Sequence, residues 1–142
     1  MNDIEVYGGK AKEREITEAV VYWCVKKLLP RVRTLSIEVR IKKLESAMGY
    51  CLNTDNHKTF ELEINKGMSL FDLISTICHE MVHVKQYYRH ELRQFEADGK
   101  VMWKTKVIGD NVDYTDLPWE KEAFKKECGL AIECFTQLDF SF

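Results

Sequence analysis

Residues 70 to 88 read LFDLISTICHEMVHVKQYY, an apolar run with two histidines and a glutamate set into its middle. The run contains no Gly or Pro and is too long for a strand, so a helix is the structure it demands. Ser69 followed three residues later by Asp72 has the form of a capping box, with Asp in place of the usual Glu. The helix is expected to run to at least Tyr88 and as far as Asp98, where Gly99 offers a stop. Burying ionisable groups costs free energy unless a partner or a metal compensates, so His79, Glu80 and His83 require an explanation.

The spacing supplies one. His79, Glu80 and His83 spell H-E-x-x-H, and four residues of helix advance ~6 Å and turn ~400°, which stacks the two imidazoles on one face. Each can then place a nitrogen ~2.1 Å from a single Zn²⁺. Glu80 points ~100° away from His79, too far round to serve easily as a ligand but within reach of a water on the metal, the position of a general base. Two histidines on a satisfied core face would be the ordinary reading of either residue alone. A chance H-E-x-x-H in a chain of this length has a probability well below ~1%, and the motif falls on a helix preceded by strands.

The rest of the chain reads as one unit, residues 1 to 142. Its 142 residues, 45% of them hydrophobic, suffice for one core, and no repeat or proline-rich linker divides them. Thr17 is expected to cap a first helix that runs to about Leu29, with Val20, Trp23, Cys24 and Leu28 on its apolar side and Pro30 beyond it. In TLSIEVRIKKL the apolar residues Leu35, Ile37, Val39 and Ile41 alternate with polar ones, the period of a half-buried strand. GYCLNTDNHKTFELEIN then reads as a hairpin turning between Asn53 and His57. Residues 101 to 114 suggest a short hairpin turning near Gly109 and Asp110, followed by a last helix with Asp116 as N-cap and Pro118 in its first turn. The expected class is α+β: an N-terminal helix, a small, mostly antiparallel sheet of about three strands, the H-E-x-x-H helix, a short hairpin and a C-terminal helix.

A catalytic zinc usually has three protein ligands and one position for water. His90 shares the face of His83 but lies ~10 Å further along the helix. Arg89 and Tyr87 stand where other common arrangements carry a third histidine. The remaining source is the segment DLPWEKEAF, residues 116 to 124. Glu120 and Glu122 lie ~200° apart on a helix. Glu120 falls on the stripe continued by Ala123, Phe124, Cys128, Ala131 and Phe135, whereas Glu122 groups with Lys121, Lys125 and Lys126 on the expected wet side. Glu120 is therefore the expected third ligand, and the small Ala123 one turn on would let two helices approach.

HEMVH on a helix, a β-rich connection and then PWEKEA opening another helix resemble the small gluzincin-type zinc metallopeptidases, and look like the compact SprT-like metallopeptidases common in bacteriophage genomes. The resemblance spans roughly residues 35 to 135 and implies a zincin-like domain with a Glu third ligand in an E-x-x-A context. It departs from the pattern at Phe124, where many gluzincins carry the Asp or Asn that supports a ligand histidine.

These readings together imply a zinc-dependent endopeptidase of proteins or peptides, with one Zn²⁺ on His79, His83 and Glu120 and with Glu80 as the general base. Tyr114 is a further candidate for an electrophile, and the strand TFELEIN for a cleft edge whose Glu61 and Glu63 would disfavour acidic substrates. An alternative is a regulatory or DNA-associated zincin-like protein with restricted proteolysis, because seven basic residues face one acid, Glu38, between Lys26 and Lys43. A non-enzymatic zinc module is a third reading, against which Glu80 argues. The net charge of −2 gives no global drive toward nucleic acid or membranes. No apolar run approaches the ~20 residues of a membrane span, and five cysteines without C-x-x-C spacing fit reduced thiols, so a soluble cytosolic protein is expected, bacterial or in a phage-infected host. Cys78 and the three tryptophans read as packing residues, and His57 as part of a turn.

Overall fold

The structure is a computed structural model that describes residues 1–54, 56–94, 100–109, 111–138 and 140. It is α+β. In chain order its elements are β1 (Asp3–Gly8), α1 (Ala11–Leu28), β2 (Ser36–Lys42), β3 (Gly49–Asn53), β4 (Thr59–Asn65), α2 (Leu70–Tyr88), β5 (Leu92–Gln94), β6 (Val101–Trp103), β7 (Lys106–Ile108) and α3 (Pro118–Gln137), with one 3₁₀ turn at Tyr114–Asp116 before α3.

Four strands form the main sheet in the order β1-β2-β4-β3. The pairs β1/β2 and β2/β4 are parallel, and only β3/β4 is antiparallel. The expected mostly antiparallel, three-stranded sheet is thus corrected to a mixed, four-stranded one. The overlooked strand is β1, whose only inward residue below a tenth exposed is Ile4, so it carries little hydrophobic signal. Parallel partners need a crossover connection of a dozen or more residues, and α1 provides it between β1 and β2. The β3–β4 hairpin forms as the sequence suggests, but β4 lies inside the sheet and β3 is left at its edge.

One face of the sheet is core. Ile37, Val39 and Ile41 of β2 and Phe60, Leu62 and Ile64 of β4 are at most 3% exposed, while Glu38, Arg40, Lys42, Glu61 and Glu63 alternate onto the other face. Helices α1 and α2 cover the apolar face, and α3 packs on α2. On α1 the buried residues are Ile16, Thr17, Val20, Val21, Cys24 and Val25, so of the expected apolar line Val20 and Cys24 are buried while Trp23 and Leu28 are half-buried. Thr17 is no cap. The helix begins seven residues earlier, at Lys10, because Glu13 accepts hydrogen bonds from the backbone N–H of Lys10 and of Gly67, both at 2.9 Å. The β1–α1 turn needs glycine: Gly8 has φ +83°, and a Cβ there would lie 2.1 Å from the carbonyl oxygen of Ile41.

Helix α2 starts as expected, with Ser69 Oγ accepting from the Asp72 N–H at 3.2 Å. It ends at Tyr88, ten residues short of the longer reading, because His90 adopts a left-handed φ of 58° and the chain turns into β5. Asp98 and Gly99 lie outside the described residues. Strands β5, β6 and β7 form a second, antiparallel sheet. Its β6–β7 turn falls at Lys104 and Thr105 rather than at Gly109, where Lys104 takes φ 57°; Asp110 is outside the described residues. Helix α3 is capped by Leu117 instead of Asp116, which sits in the 3₁₀ turn, and Pro118 occupies the first helical position. No helix among the described residues is long and apolar enough to cross a membrane.

Candidate metal centre

The H-E-x-x-H residues lie in the middle of α2, where the helix is packed between α1, α3 and the sheet. His79 and His83 are one turn apart, with ring centroids separated by 5.1 Å, and both are 6% exposed. Glu120 comes from the first turn of α3 and is equally buried. Its Oε1 lies 3.0 Å from His79 Nε2 and 3.2 Å from His83 Nε2. One donor atom from each of the three residues falls within 4.8 Å of the others, which makes them a group that could hold a metal ion.

The donor set fits a tetrahedral cation. Two ligand atoms each ~2.0–2.1 Å from a tetrahedral Zn²⁺ stand ~3.3 Å apart, close to the separations above. The Glu120 carboxylate lies within hydrogen-bonding distance of both rings. Burial pushes the Glu120 carboxyl up, but hydrogen bonds from His79 and His83 outweigh it and hold the group at about 2. Burial pulls the His83 imidazolium down, yet its contacts with Glu120 leave it raised overall.

The His83 ring is oriented from behind. His83 Nδ1 lies 2.8 Å from Gln86 Oε1, and the Gln86 amide donates to the Trp119 carbonyl at 3.0 Å and to Glu122 Oε1 at 2.9 Å. Gln86 therefore ties His83 of α2 to the turn of α3 that carries Glu120. Glu122 was expected on the wet side. Instead it is half-buried and also meets Lys85 Nζ at 3.2 Å. His79 Nδ1 lies 3.7 Å from Glu127 Oε1, and Ser75 Oγ donates to Glu127 Oε2 at 3.2 Å. Phe124, which stands where a supporting Asp or Asn was expected, packs its ring edge to face against His79 with centroids 4.6 Å apart. Glu127, one turn further on, is the carboxylate that approaches the other side of the His79 ring, at 3.7 Å. The buried line of α3 is Glu120, Ala123, Leu130, Ala131 and Cys134, whereas Phe124, Cys128 and Phe135 of the expected stripe are exposed.

Glu80 is 6% exposed and faces a cavity of about 550 Å³ that also reaches His79, His83 and Glu120. Burial raises its carboxyl to about 6, with His83 and His79 working against that and Glu120 with it. Strand β3 forms one wall through Gly49, Tyr50 and Cys51, and a Cβ on Gly49 would stand 3.3 Å from Glu80 Cγ. Across the cavity are Tyr114, Trp119 and Phe124. Tyr114 keeps 59% of its surface exposed, and partial burial with the nearby Glu120 charge pushes its hydroxyl above the ordinary value.

The strand expected at the cleft edge, TFELEIN, is β4 and has partners on both sides, so that role passes to β3. Glu61 and Glu63 point to the outer face of the sheet, where Glu63 meets Lys42 at 2.7 Å and Glu61 meets Arg40 at 4.0 Å. The basic stretch is divided by the same alternation: Arg40 and Lys42 are paired on the sheet, and Lys27 at the end of α1 meets Glu133 at 2.6 Å. Cys78 points away from the metal group, into contact with Cys24 at 3.8 Å.

Gln86 and Glu127 were not singled out from the sequence. Gln86 had a signal, since it continues the line His79, His83 by a further three residues. Glu127 had none, because its relation to His79 exists only across the α2–α3 contact. No protein-family model, curated protein or solved structure matches this chain.

Proposed function

We propose that this protein is a zinc-dependent metallopeptidase that hydrolyses peptide bonds, with His79, His83 and Glu120 holding the ion and Glu80 moving the proton. The observation that carries this reading is the buried two-histidine, one-carboxylate group beside a second, non-ligating carboxylate in a cavity. Three protein donors leave a tetrahedral ion one open position, the pattern of catalytic rather than structural zinc, and a nitrogen-rich set favours zinc over Mg²⁺ or Ca²⁺. A bound ion supplies Lewis acidity, which acidifies water and polarises a carbonyl.

Glu80 is suited to accept the proton and return it to the departing amine, because it lines the same cavity as the three donors without being one of them. Tyr114 lines the same cavity, which makes it the candidate for a hydrogen bond to a substrate oxygen. The substrate class follows from β3. Its outer edge has no strand partner among the described residues, so an extended peptide could add there and lie along the cavity wall. A third donor from the long helix that follows the H-E-x-x-H helix is the arrangement that the gluzincin-like reading expects.

The test is metal analysis and peptide hydrolysis on wild type, Glu80→Gln and Glu120→Ala. Glu80→Gln should retain its zinc and lose turnover, whereas Glu120→Ala should lose both. Unchanged zinc in Glu120→Ala would remove the third ligand, and full turnover in Glu80→Gln would remove the base.

A further inference from the structure

The chain has four histidines, and the metal group uses two. The other two, His57 and His90, are 33 residues apart in sequence, yet their rings meet with centroids 5.3 Å apart and planes inclined by 41°. His57 lies in the turn between β3 and β4, and His90 lies two residues past the end of α2. Both side chains are exposed, so an ion can reach them from solvent.

Two imidazoles that share one tetrahedral ion have centroids ~3.2 Å from it, given a bond of ~2.1 Å, and therefore ~5.3 Å from each other. The His79–His83 pair has a separation of 5.1 Å. The second pair thus has the spacing of the first without the helical repeat that creates it. The turn that ends α2 fixes where one of the two rings stands. His90 holds φ 58°, a region that non-glycine residues occupy sparingly, and is anchored there by its N–H on the Tyr87 carbonyl at 3.1 Å and by Arg93 Nε on its own carbonyl at 3.3 Å. The carbonyl end of α2 nearby carries partial negative charge, which favours a cation.

We infer that His57 and His90 form a second divalent transition-metal site, completed by water, that fastens the β3–β4 turn to the end of α2. Imidazole donors select Zn²⁺, Ni²⁺ or Cu²⁺ over Mg²⁺ and Ca²⁺. With two protein donors instead of three, this site is the weaker of the two. Strand β3 walls the cavity, so an ion here would stiffen the cleft at its edge. The inference does not depend on the catalytic reading.

The experiment is a Zn²⁺ titration of untagged protein, followed by calorimetry, on wild type, His57→Ala and His90→Asn. Asn is chosen at position 90 because it tolerates positive φ, and both residues are exposed, so the variants should fold. Each variant should bind one equivalent fewer than wild type. The same difference should persist in a His83→Ala background, which leaves the buried group a single imidazole and so separates this site from it. In that background, Cu²⁺ added to the chain should give a two-nitrogen electron paramagnetic resonance signature that vanishes in either histidine variant. Equal stoichiometry in wild type and variants, or a loss in only one of the two, would overturn the pair.

Discussion

Gln86 Oε1 lies 2.8 Å from His83 Nδ1, and through its amide nitrogen the same side chain holds the Trp119 carbonyl and Glu122 of the neighbouring helix. A residue that is 0% exposed and has every polar atom engaged is a structural commitment, because an unpaired amide there would be costly. Here it sets the ring of one proposed ligand and the height of another with a single group.

Gln86→Leu should therefore lower zinc affinity by roughly 10- to 100-fold, the usual cost of losing a partner behind a ligand histidine. Glu127→Gln should cost less than about tenfold, because its carboxylate stands 3.7 Å from His79 Nδ1, beyond good hydrogen-bonding distance. Competition with a chelator of known affinity measures both. An equal loss in the two variants would contradict the geometry.

Gly49 tests the relation between the edge strand and the proposed base. An added Cβ would meet Thr76 Cγ2 at 2.8 Å, the Glu63 carbonyl at 3.1 Å and Glu80 Cγ at 3.3 Å. Gly49→Ala should push β3 and Glu80 apart and reduce kcat by roughly tenfold or more, with zinc content unchanged, since small displacements of reacting groups are expensive. Steady-state kinetics beside metal analysis decides it.

Gly8 and Gly67 both have positive φ, +83° and +79°. Alanine at either pays about 1 kcal/mol for the left-handed backbone. Only at Gly8 does the new Cβ also meet backbone, at 2.1 Å from Ile41 O, whereas at Gly67 nothing lies within 4 Å. Urea denaturation should show Gly8→Ala to be much the more destabilised of the two.

Glu13 makes stability depend on acid. The N–H groups of Gly67 and Lys10 hold its carboxyl below the ordinary value of 4.5. A carboxylate with a depressed folded pKa stabilises the fold above its unfolded value, and that contribution is lost as the pH falls through the folded value. Glu13→Gln should thus be less stable than wild type near pH 7, with the gap narrowing below about pH 4.5. Urea midpoints at several pH values check the sign.

Local pattern was enough for much of this molecule. The start of α2, the β3–β4 hairpin and the alternation of β2 and β4 depend on residues within a turn or a strand of one another, and each forms where its period indicates. The His79–His83 pairing is equally local. Glu120 could be reached by exclusion, because Arg89 and Tyr87 stand where a third histidine would be and Glu120 falls on the apolar side of the last helix.

What the sequence alone could determine was therefore whatever helical rise or strand alternation enforces: a two-histidine face, a glutamate beside it and a carboxylate on a later helix. Only the tertiary structure decided that β4 would be interior and β3 the edge, that Gln86 and Glu127 would stand behind the rings, and that His57 would meet His90. Those relations join residues whose separation along the chain carries no period, so they exist only once the sheet order and the packing of α3 on α2 have brought them together.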